Sequence, residues 1–215
     1  MVNTRRTYSS PLRRSQAEAT RRAVLEAARD LFVTQGYGAT TVDQIAERAG
    51  VSRPTVFRAV GNKQEVLRRV RDVAIAGDDE PVPIAERPIM ERIRHEPDHR
   101  SAIDLLAAHL TGVASRYAPI YEVLRAAASG EPDLRELWDT EEAQRLTGAR
   151  AWTDILRRKQ GAPSQGVDVR TAADGLWLLM APDHYLRLVH QRGWTQRKYQ
   201  RWLAAAIAHL FSWDG

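Results

Sequence analysis

Apolar residues recur at the three- and four-residue spacing of amphipathic helices along almost the whole chain, and no useful length alternates as a strand would. The first such segment runs from about Ala17 to Gln35. Val24, Ala28 and Leu31 lie on one face, and Gly36 is suited to end the helix. The pattern predicts an amphipathic first helix preceded by a polar segment.

A capping box predicts where the second helix begins. In Thr41-Val42-Asp43-Gln44, the Thr41 hydroxyl can accept from the Gln44 amide, and the Gln44 side chain can reach back to Thr41. We expect Ile45 and Ala46 on the inner face and Gly50 at the end of this helix.

Two further helices follow closely. Ser52 is placed to cap a third short helix, and Pro54 is tolerated in its first turn because the amide there has no intrahelical partner. Gly61 ends that helix. Asn62, with Glu65 three residues later, is suited to cap a fourth helix that runs to about residue 76.

The segment GDDEPVP, residues 77 to 83, reads as a linker. Pro182 predicts a kink after Ala181, and Thr195 is placed to cap the last helix. Beyond the linker, helices are predicted near 84–95, 98–116, 118–129, 133–160, 168–191 and 196–211.

The second and third helices, joined by AERAGVSRPT, have the form of a helix-turn-helix. Ala46 permits close approach, Gly50 suits a left-handed turn, and Val51 can plug the junction. In such motifs the N-terminal residues of the second helix meet base edges, and helix starts suit phosphates. We expect base contacts from Arg53, Pro54, Thr55 and Arg58, and backbone contacts from Thr40, Thr41, Ser52, Asn62 and Lys63.

The net positive charge of the chain comes from its N-terminal third, which contains this motif. Residues 1–69 hold 13 Arg and Lys against 6 Asp and Glu, whereas residues 70–215 hold 19 against 21. This asymmetry indicates an anionic partner such as nucleic acid or, less plausibly, a membrane surface. Residues 1–16 form a basic arm that either contacts DNA or is a solvated tail. The arm's candidate DNA contacts are Arg5, Arg6, Arg13 and Arg14.

Residues 20–70 resemble the DNA-binding domain of TetR-family transcriptional regulators. The resemblance rests on four ordered stretches: A-x-x-L-F-x-x-x-G-Y from Ala28 to Tyr37, T-T-V-x-x-I-A-x-x-A-G-V-S from Thr40 to Ser52, T-V-F-R from Thr55 to Arg58, and G-x-K-x-x-V-L from Gly61 to Leu67. It covers about a quarter of the chain. It implies a DNA-binding domain over residues 17–76 and a helical effector-binding and dimerisation domain over residues 77–215.

Two positions depart from the family pattern. Phe57 replaces a tyrosine whose hydroxyl typically touches a phosphate, and Ala59 stands where His or Tyr is common. The resemblance still implies that Phe57 lies against the DNA backbone. We expect fewer phosphate contacts and hypothesise that the basic arm compensates.

The resemblance also implies a homodimer through the last two helices, with a four-helix bundle and two recognition helices one DNA turn apart. Small residues and a broad apolar face on those helices agree with it, although packing within one subunit is an alternative explanation. The expected interface residues are Ala172, Leu176, Leu186, Tyr199, Trp202, Leu203, Ala206 and Leu210.

A ligand pocket is the least constrained expectation. Aromatic and polarisable residues on the central helices can line an apolar cavity or belong to the ordinary core. Because acidic and basic clusters are not evident on these helices, we expect a mostly apolar ligand. The candidate lining residues are His109, Tyr117, Tyr121, Trp138, Trp152, Trp177, Met180 and His184.

Enzyme chemistry finds little support. In His95-Glu96-Pro97-Asp98-His99, the proline interrupts the helix that a metal site with histidines at i and i+4 requires, so a polar loop is expected. There is no cysteine, no Gly-rich phosphate loop and no apolar run long enough for a membrane span. We expect no metal, no cofactor and no enzymatic activity, and a cytoplasmic location.

The sequence therefore predicts an all-α protein with an N-terminal three-helix helix-turn-helix DNA-binding domain plus a C-terminal helical ligand-binding and dimerisation domain. The predicted function is a transcriptional regulator, most simply a repressor that binds a pseudo-palindromic operator as a homodimer and is released by a small ligand. The alternatives are a partner-controlled DNA-binding regulator without a small ligand and, with less support, a helical enzyme carrying an incidental helix-turn-helix.

Overall fold

The computed structural model describes residues 11–80, 82–163 and 168–212, and the regular elements within these ranges are all helical. The α-helices are α1 (Pro11–Ala39), α2 (Val42–Arg48), α3 (Arg53–Ala59), α4 (Lys63–Ala76), α5 (Pro88–His95), α6 (His99–Ala127), α7 (Pro132–Leu156), α8 (Val169–Met180), α9 (Asp183–Tyr185) and α10 (Gln196–Leu210). A 3₁₀ turn spans Ile84–Glu86, and a π-helical segment spans Leu186–Gln191.

The chain divides into two compact units between Val70 and Arg71, a boundary that falls inside α4. The expected boundary lay six residues later, after residue 76. Helix α1 begins at Pro11, earlier than the predicted start at Ala17, so Arg13 and Arg14 belong to a helix rather than to an extended arm. The sequence pattern missed this first turn because it carries no apolar periodicity, although proline is favoured at the start of a helix.

The first unit is built around the inner faces of its four helices. Phe32 of α1, Ile45 of α2, Val56 of α3 and Leu67 of α4 are all fully buried. Gly36 has φ of 83°, so α1 bends there before its last turn, as its role at a helix end predicts. The short helices α2 and α3 therefore owe their stability mainly to this shared core.

Hydrogen bonds confirm two predicted helix starts in the first unit. Gln44 N donates to Thr41 Oγ1 at 3.2 Å, and Thr41 N donates to Gln44 Oε1 at 2.9 Å. At α4, Glu65 N donates to Asn62 Oδ1 at 2.9 Å, and Asn62 N donates to Glu65 Oε2 at 2.7 Å. Both capping boxes satisfy amides that otherwise lack a helical partner.

In the second unit, α6 packs against α10, and α7 packs against both α6 and α8. Helix α6 is continuous from His99 to Ala127 with Pro119 inside it, which corrects the predicted break between 116 and 118. Ala118 and Ile120 are both fully buried beside the proline. Burial on either side of Pro119 outweighs the roughly 3 kcal/mol that an interior proline costs.

The last part of the chain follows the prediction more closely. Helix α8 ends at Met180, and Ala181 is extended before Pro182, so the predicted kink is confirmed. Lys198 N donates to Thr195 Oγ1 at 3.2 Å, which confirms the cap of α10. A Cβ on Gly175 of α8 would lie 2.5 Å from Leu210 Cδ2, so these two helices approach closely within one chain.

Candidate nucleic-acid interface and effector region

The turn between α2 and α3 has helix-turn-helix geometry. Gly50 adopts φ of 66°, and Val51 N donates to Ala46 O at 2.9 Å. Ala46 is buried, and Val51 is half-buried at the junction. The left-handed conformation at Gly50 lets α2 end and α3 begin without a longer loop.

Helix α3 has one inward face and one exposed face. Val56 is fully buried, whereas Arg53, Pro54, Phe57 and Arg58 are exposed. Phe57 is 44% exposed, although large aromatic residues are usually more buried. The predicted base-contact residues therefore lie on a free surface, apart from Thr55, which is half-buried.

Both arginines of this face already have partners within the first unit. Arg53 Nη1 lies 3.5 Å from Asp43 Oδ2 of α2, and its Cζ lies 5.7 Å from the centre of the Phe57 ring. Arg58 Nη2 donates to Thr55 Oγ1 at 3.4 Å. Ser52 occupies the N-cap position of α3, but its hydroxyl pairs with Thr55 Oγ1 at 2.8 Å instead of capping an amide.

The structure corrects two of the predicted phosphate contacts. Thr40 is buried, and its hydroxyl donates to Gly36 O at 2.8 Å, so it cannot face DNA. Lys63 Nζ donates to Tyr37 O at 3.1 Å and lies 4.1 Å from the centre of the Tyr37 ring. The Lys63 ammonium is therefore directed towards α1 rather than outwards.

The start of α4 is also different from the expected phosphate site. The Asn62 amide donates to the Glu65 carboxylate, which places a negative group where a free amide was expected. Thr41 stays exposed, although its hydroxyl accepts from the Gln44 amide. Of the arm residues, Arg13 and Arg14 are exposed on α1, while Arg5 and Arg6 lie outside the described residues.

The second unit contains a buried ion network that sequence reasoning missed. The Tyr117 hydroxyl of α6 donates to Glu141 of α7, and Arg71 Nε of α4 lies 3.4 Å from Glu141 Oε2. Burial, together with the Glu141 charge, raises the pKa of Tyr117 well above its usual value. Burial alone would lower the pKa of Arg71, but the charges of Glu141 and Asp72 outweigh it and raise that pKa.

A second charged pair lies next to the predicted aromatic residues. Arg145 pairs with Glu142 on α7, and its Cζ lies 5.8 Å from the Tyr121 ring centre and 5.1 Å from that of Trp177. The Tyr121 ring also lies 4.9 Å from that of Trp138. The premise of the mostly apolar ligand, that these helices lack charged clusters, is therefore wrong. In the sequence, the only sign of this charged cluster was the adjacent pair Glu141 and Glu142.

Several buried polar atoms in this cluster lack hydrogen bonds to the described part of the chain. They are the acceptor Glu142 Oε1 and the donors Arg145 Nε and Trp177 Nε1. Burial raises the pKa of Glu142. We call the set of Tyr121, Trp138, Glu142, Arg145 and Trp177 the effector cluster, because unsatisfied donors and acceptors beside aromatic faces suit a small ligand with both polar and apolar groups.

The other predicted pocket residues lie elsewhere. His184 Nδ1 accepts from the Tyr199 hydroxyl at 2.8 Å, and His184 Nε2 donates to Leu179 O at 2.9 Å, so both ring nitrogens are used in packing. Burial lowers the pKa of His184 and that of His109, the latter to about 4 with help from the nearby charge of Arg116. Trp152 and Met180 pack, partly buried, against the apolar core.

The expected dimer residues divide into two groups. Four are buried inside the single chain, which corrects their assignment to an interface: Ala172, Leu176, Tyr199 and Leu203. Four keep partial exposure: Leu186, Trp202, Ala206 and Leu210. Leu178 of α8, which was not predicted, is 61% exposed and is the most exposed large apolar side chain among the described residues.

In the stretch from His95 to His99, His95 ends α5, residues 96–98 form a loop, and His99 begins α6. His99 Nδ1 bonds to Leu156 O at 3.0 Å, and Lys159 Nζ donates to Arg94 O at 2.9 Å. These contacts fasten the loop to the end of α7. Within the described ranges, no three His, Asp or Glu side chains lie close enough to hold a metal ion. In the same ranges, no helix is long and apolar enough to cross a membrane.

Comparison with known proteins supports this description of the first unit. Residues 24–70 match the family model of bacterial regulatory proteins of the tetR family. The chain is 30% identical over 131 residues to the uncharacterized HTH-type transcriptional regulator YdeS of Bacillus subtilis. That alignment spans 59% of each chain, so it covers less than two thirds of the relative.

Solved structures share the fold over nearly the whole chain. NalD, the secondary repressor of the MexAB-OprM multidrug efflux pump in Pseudomonas aeruginosa, has a TM-score of 0.65 at 21% identity, covering 90% of this chain and 97% of NalD. A putative transcriptional regulator from Saccharomonospora viridis in complex with choline has a TM-score of 0.64 at 20% identity, covering 91% and 97%. These relatives and neighbours are described as regulators, not as enzymes. The helix-turn-helix and the family match agree over the same residues, so residues 24–70 form a DNA-binding segment of the kind found in bacterial regulatory proteins of the tetR family.

Proposed function

We propose that this protein is a transcriptional regulator that places α3 in the major groove of DNA. The observation that carries the proposal is the exposed face of α3, with Arg53, Phe57 and Arg58 free of the core. Arginine can grip guanine with two hydrogen bonds, and cations on the same face contact phosphates. The positive charge of the N-terminal third supports an anionic partner.

The proposed active form is a homodimer that binds a pseudo-palindromic operator. Two copies of α3 reach adjacent major grooves only when a twofold axis relates them, which makes the operator an inverted repeat. The partly exposed apolar residues of α8 and α10 support a contact through these helices, since an exposed leucine such as Leu178 gains from burial.

The test is to capture sheared genomic DNA of the source organism with the purified protein at about 0.15 M salt, because low salt inflates non-specific binding. A few sharp peaks that share an inverted repeat are expected. Flat recovery from a folded, dimeric protein would contradict sequence-specific binding. The genes beside the peaks would indicate what is regulated.

We further propose that the protein is a repressor released by a small ligand bound at the effector cluster. Repression is supported by NalD, which is named a repressor, and ligand binding by the neighbour found with choline. Helix α4 contributes residues to both compact units, so a ligand that favours one arrangement of α4 can shift the population away from the DNA-binding form. The ligand must differ in affinity for the two forms.

The chemistry of the effector cluster defines the ligand class. Tyr121, Trp138 and Trp177 offer aromatic faces, while Glu142 Oε1 accepts and Trp177 Nε1 and Arg145 Nε donate. We propose an amphiphilic ligand with an aromatic or aliphatic body that carries both a hydrogen-bond donor and an acceptor. This replaces the mostly apolar ligand expected from sequence.

Trp177→Phe tests this assignment. It keeps an aromatic ring but removes the five-membered part of the indole with its unpaired N–H. The relief of a buried donor without a partner then offsets part of the packing loss, so we expect a smaller loss of stability than Trp152→Phe shows, since Trp152 also packs against the core. We also expect a loss of affinity of at least about fivefold for any ligand that a thermal-shift screen identifies, since a hydrogen bond is worth about 1 kcal/mol or more. Trp152→Phe, outside the cluster, is the control. A screen in which no amphiphile shifts the melting temperature would favour a partner-controlled regulator.

A further inference from the structure

An acidic side chain stands on the face proposed to meet DNA. Asp43, in the first turn of α2, has a side chain that is 67% exposed, and it lies beside the start of α3. A carboxylate on such a face weakens binding to every duplex, because it repels the phosphate backbone. Its presence calls for a compensating role, and this inference about that role rests on the proposed function.

The contacts of Asp43 indicate what this compensating role is. Its Oδ2 lies 3.5 Å from Nη1 of Arg53, which is itself 57% exposed. On another side of the same guanidinium, the Phe57 ring centre lies 5.7 Å from Cζ, one helical turn further along α3. An exposed arginine normally samples many rotamers, but a carboxylate and an aromatic face together restrict the orientation of the guanidinium plane.

We propose that Asp43 is a positioning residue that presents Arg53 to a guanine in the major groove. With Nη1 directed at Asp43, the edge formed by Nε and Nη2 is left to donate to guanine O6 and N7. The exposed Phe57 ring braces the guanidinium from within α3, which gives this position a purpose without a tyrosine hydroxyl. Asp43 acts through Arg53 and makes no base contact itself.

The second arginine of the face provides a contrast. Arg58 Nη2 donates to the hydroxyl of Thr55, which pairs in turn with Ser52, so its anchors are neutral. Removing the charge of Asp43 therefore changes the geometry of Arg53 and leaves that of Arg58 intact. We expect one base position of each half-site to respond, and the others to keep their preference.

The test is selection from random duplexes by the full-length protein, followed by sequencing to obtain the base preference at each position. Asp43→Asn should lower the guanine preference at one position per half-site by at least about fivefold, the lower end for a bidentate contact. The affinity for non-specific DNA should stay equal or rise, because a negative charge is lost. A lower guanine preference together with an equal or higher non-specific affinity would show that Asp43 positions Arg53. A purely electrostatic effect of Asp43 would change the affinity for all duplexes and leave the base preference unchanged.

A matched control exists in the same unit. Asp30 pairs with Arg48 at 2.9 Å, with side chains 46% and 52% exposed, and neither residue belongs to α3. Asp30→Asn removes the same charge from a similar surface pair and should select the wild-type sequence. Asp43→Glu keeps the charge on a longer stem. It should also weaken the guanine preference, which guards against an Asn variant that folds poorly.

A double-variant cycle completes the test. In an Arg53→Ala background, Asp43→Asn should cause no further change in base preference, because the residue it positions is gone. An unchanged guanine preference in folded Asp43→Asn and Asp43→Glu would overturn the proposal. So would an equal effect of Asp43→Asn with and without Arg53. If the wild type enriches no sequence, the proposed function fails, and this inference fails with it.

Discussion

At the scale of single residues, the DNA-facing surface is defined by which polar groups the first unit has already used. Thr40 bonds to Gly36 O, Lys63 bonds to Tyr37 O, and the Asn62 amide is taken by Glu65. The arginines of α3 and the exposed Thr41 remain available at the surface. A polar residue near a helix start is therefore a candidate for DNA contact only if its polar atoms are exposed and are not already bonded within the unit.

Gly50 carries a prediction at this scale. Its φ of 66° disfavours any L-residue, although a Cβ there would meet no atom within 4 Å. We expect Gly50→Ala to destabilise the protein by about 1 kcal/mol, through backbone strain alone. Gly38 is the matched control, because its added Cβ also meets nothing and its φ is not positive. Denaturant unfolding should show a loss for Gly50→Ala and none for Gly38→Ala.

His109 carries a prediction about pH. Its pKa falls from 6.5 to about 4, because burial and the charge of Arg116 disfavour the imidazolium. Below pH 6.5 the unfolded chain binds this proton before the folded one does, so the stability that His109 contributes is lost as pH falls from 6.5 towards 4. The free energy of unfolding of His109→Gln should depend less steeply on pH in this window.

The exposed His95 serves as the control for that measurement. His95→Gln replaces a histidine in the same way at an exposed position and controls for the substitution itself. Equal slopes for wild type and His109→Gln between pH 4 and 6.5 would show that His109 is not the group that titrates differently in the two states.

At the scale of elements, the second unit is joined by buried charges as well as by apolar packing. Arg71 is on α4, Tyr117 is on α6, and Glu141 is on α7. One carboxylate therefore connects three helices. Such a network specifies a relative arrangement, because each member without its partner leaves a buried polar group unsatisfied.

Glu141→Ala tests this network. It leaves the Tyr117 hydroxyl without its acceptor and Arg71 Nε without a nearby carboxylate, although Arg71 Nη1 keeps Asp72 at 2.7 Å. We expect a loss of about 3 kcal/mol in the free energy of unfolding. The double change Arg71→Met with Glu141→Leu should recover at least half of this loss, since apolar groups can replace a buried pair. Removing Asp104, whose pair with Arg100 is 3.5 Å long and more than half exposed, should cost less than about 0.5 kcal/mol. Equal losses at Glu141 and Asp104 would refute a buried role for Glu141.

At the scale of the whole molecule, the proposed function depends on a second copy of the chain. In that proposal the helix-turn-helix of one chain reads half of an inverted repeat, so operator affinity and operator symmetry both follow from dimerisation. The exposed Leu178 and the partly exposed Trp202 lie on α8 and α10, the two helices expected to meet their copies.

Leu178→Glu tests the dimer. A carboxylate in an apolar interface would lack a partner, so we expect a monomer by light scattering at assay concentration and a large loss of operator affinity. Ile84→Glu is the control, since Ile84 is also exposed, at 42%, but lies outside α8 and α10. A wild-type monomer would remove the basis for a palindromic operator, and a dimeric Leu178→Glu protein would move the interface elsewhere.

Much of the local structure was predictable from sequence because its determinants are local. The capping boxes at Thr41 and Asn62, the left-handed turn at Gly50 and the break before Pro182 each depend on a few neighbouring residues. The order of these signals was also specific enough to indicate the TetR family.

Other features depend on residues far apart in the chain, and only the tertiary structure decided them. Helix α6 continues through Pro119 because packing on both sides outweighs the local preference. Lys63 turns towards Tyr37, 26 positions earlier, and Glu141 meets Arg71 across 70 positions, for reasons that no short window contains. The sequence by itself determined the helices, the turn and the basic face, since capping, glycine conformations and periodicity act within a few residues. The tertiary structure determined which polar atoms are hydrogen-bonded inside the fold and which remain unpaired or at the surface, since burial and pairing are properties of the assembled chain.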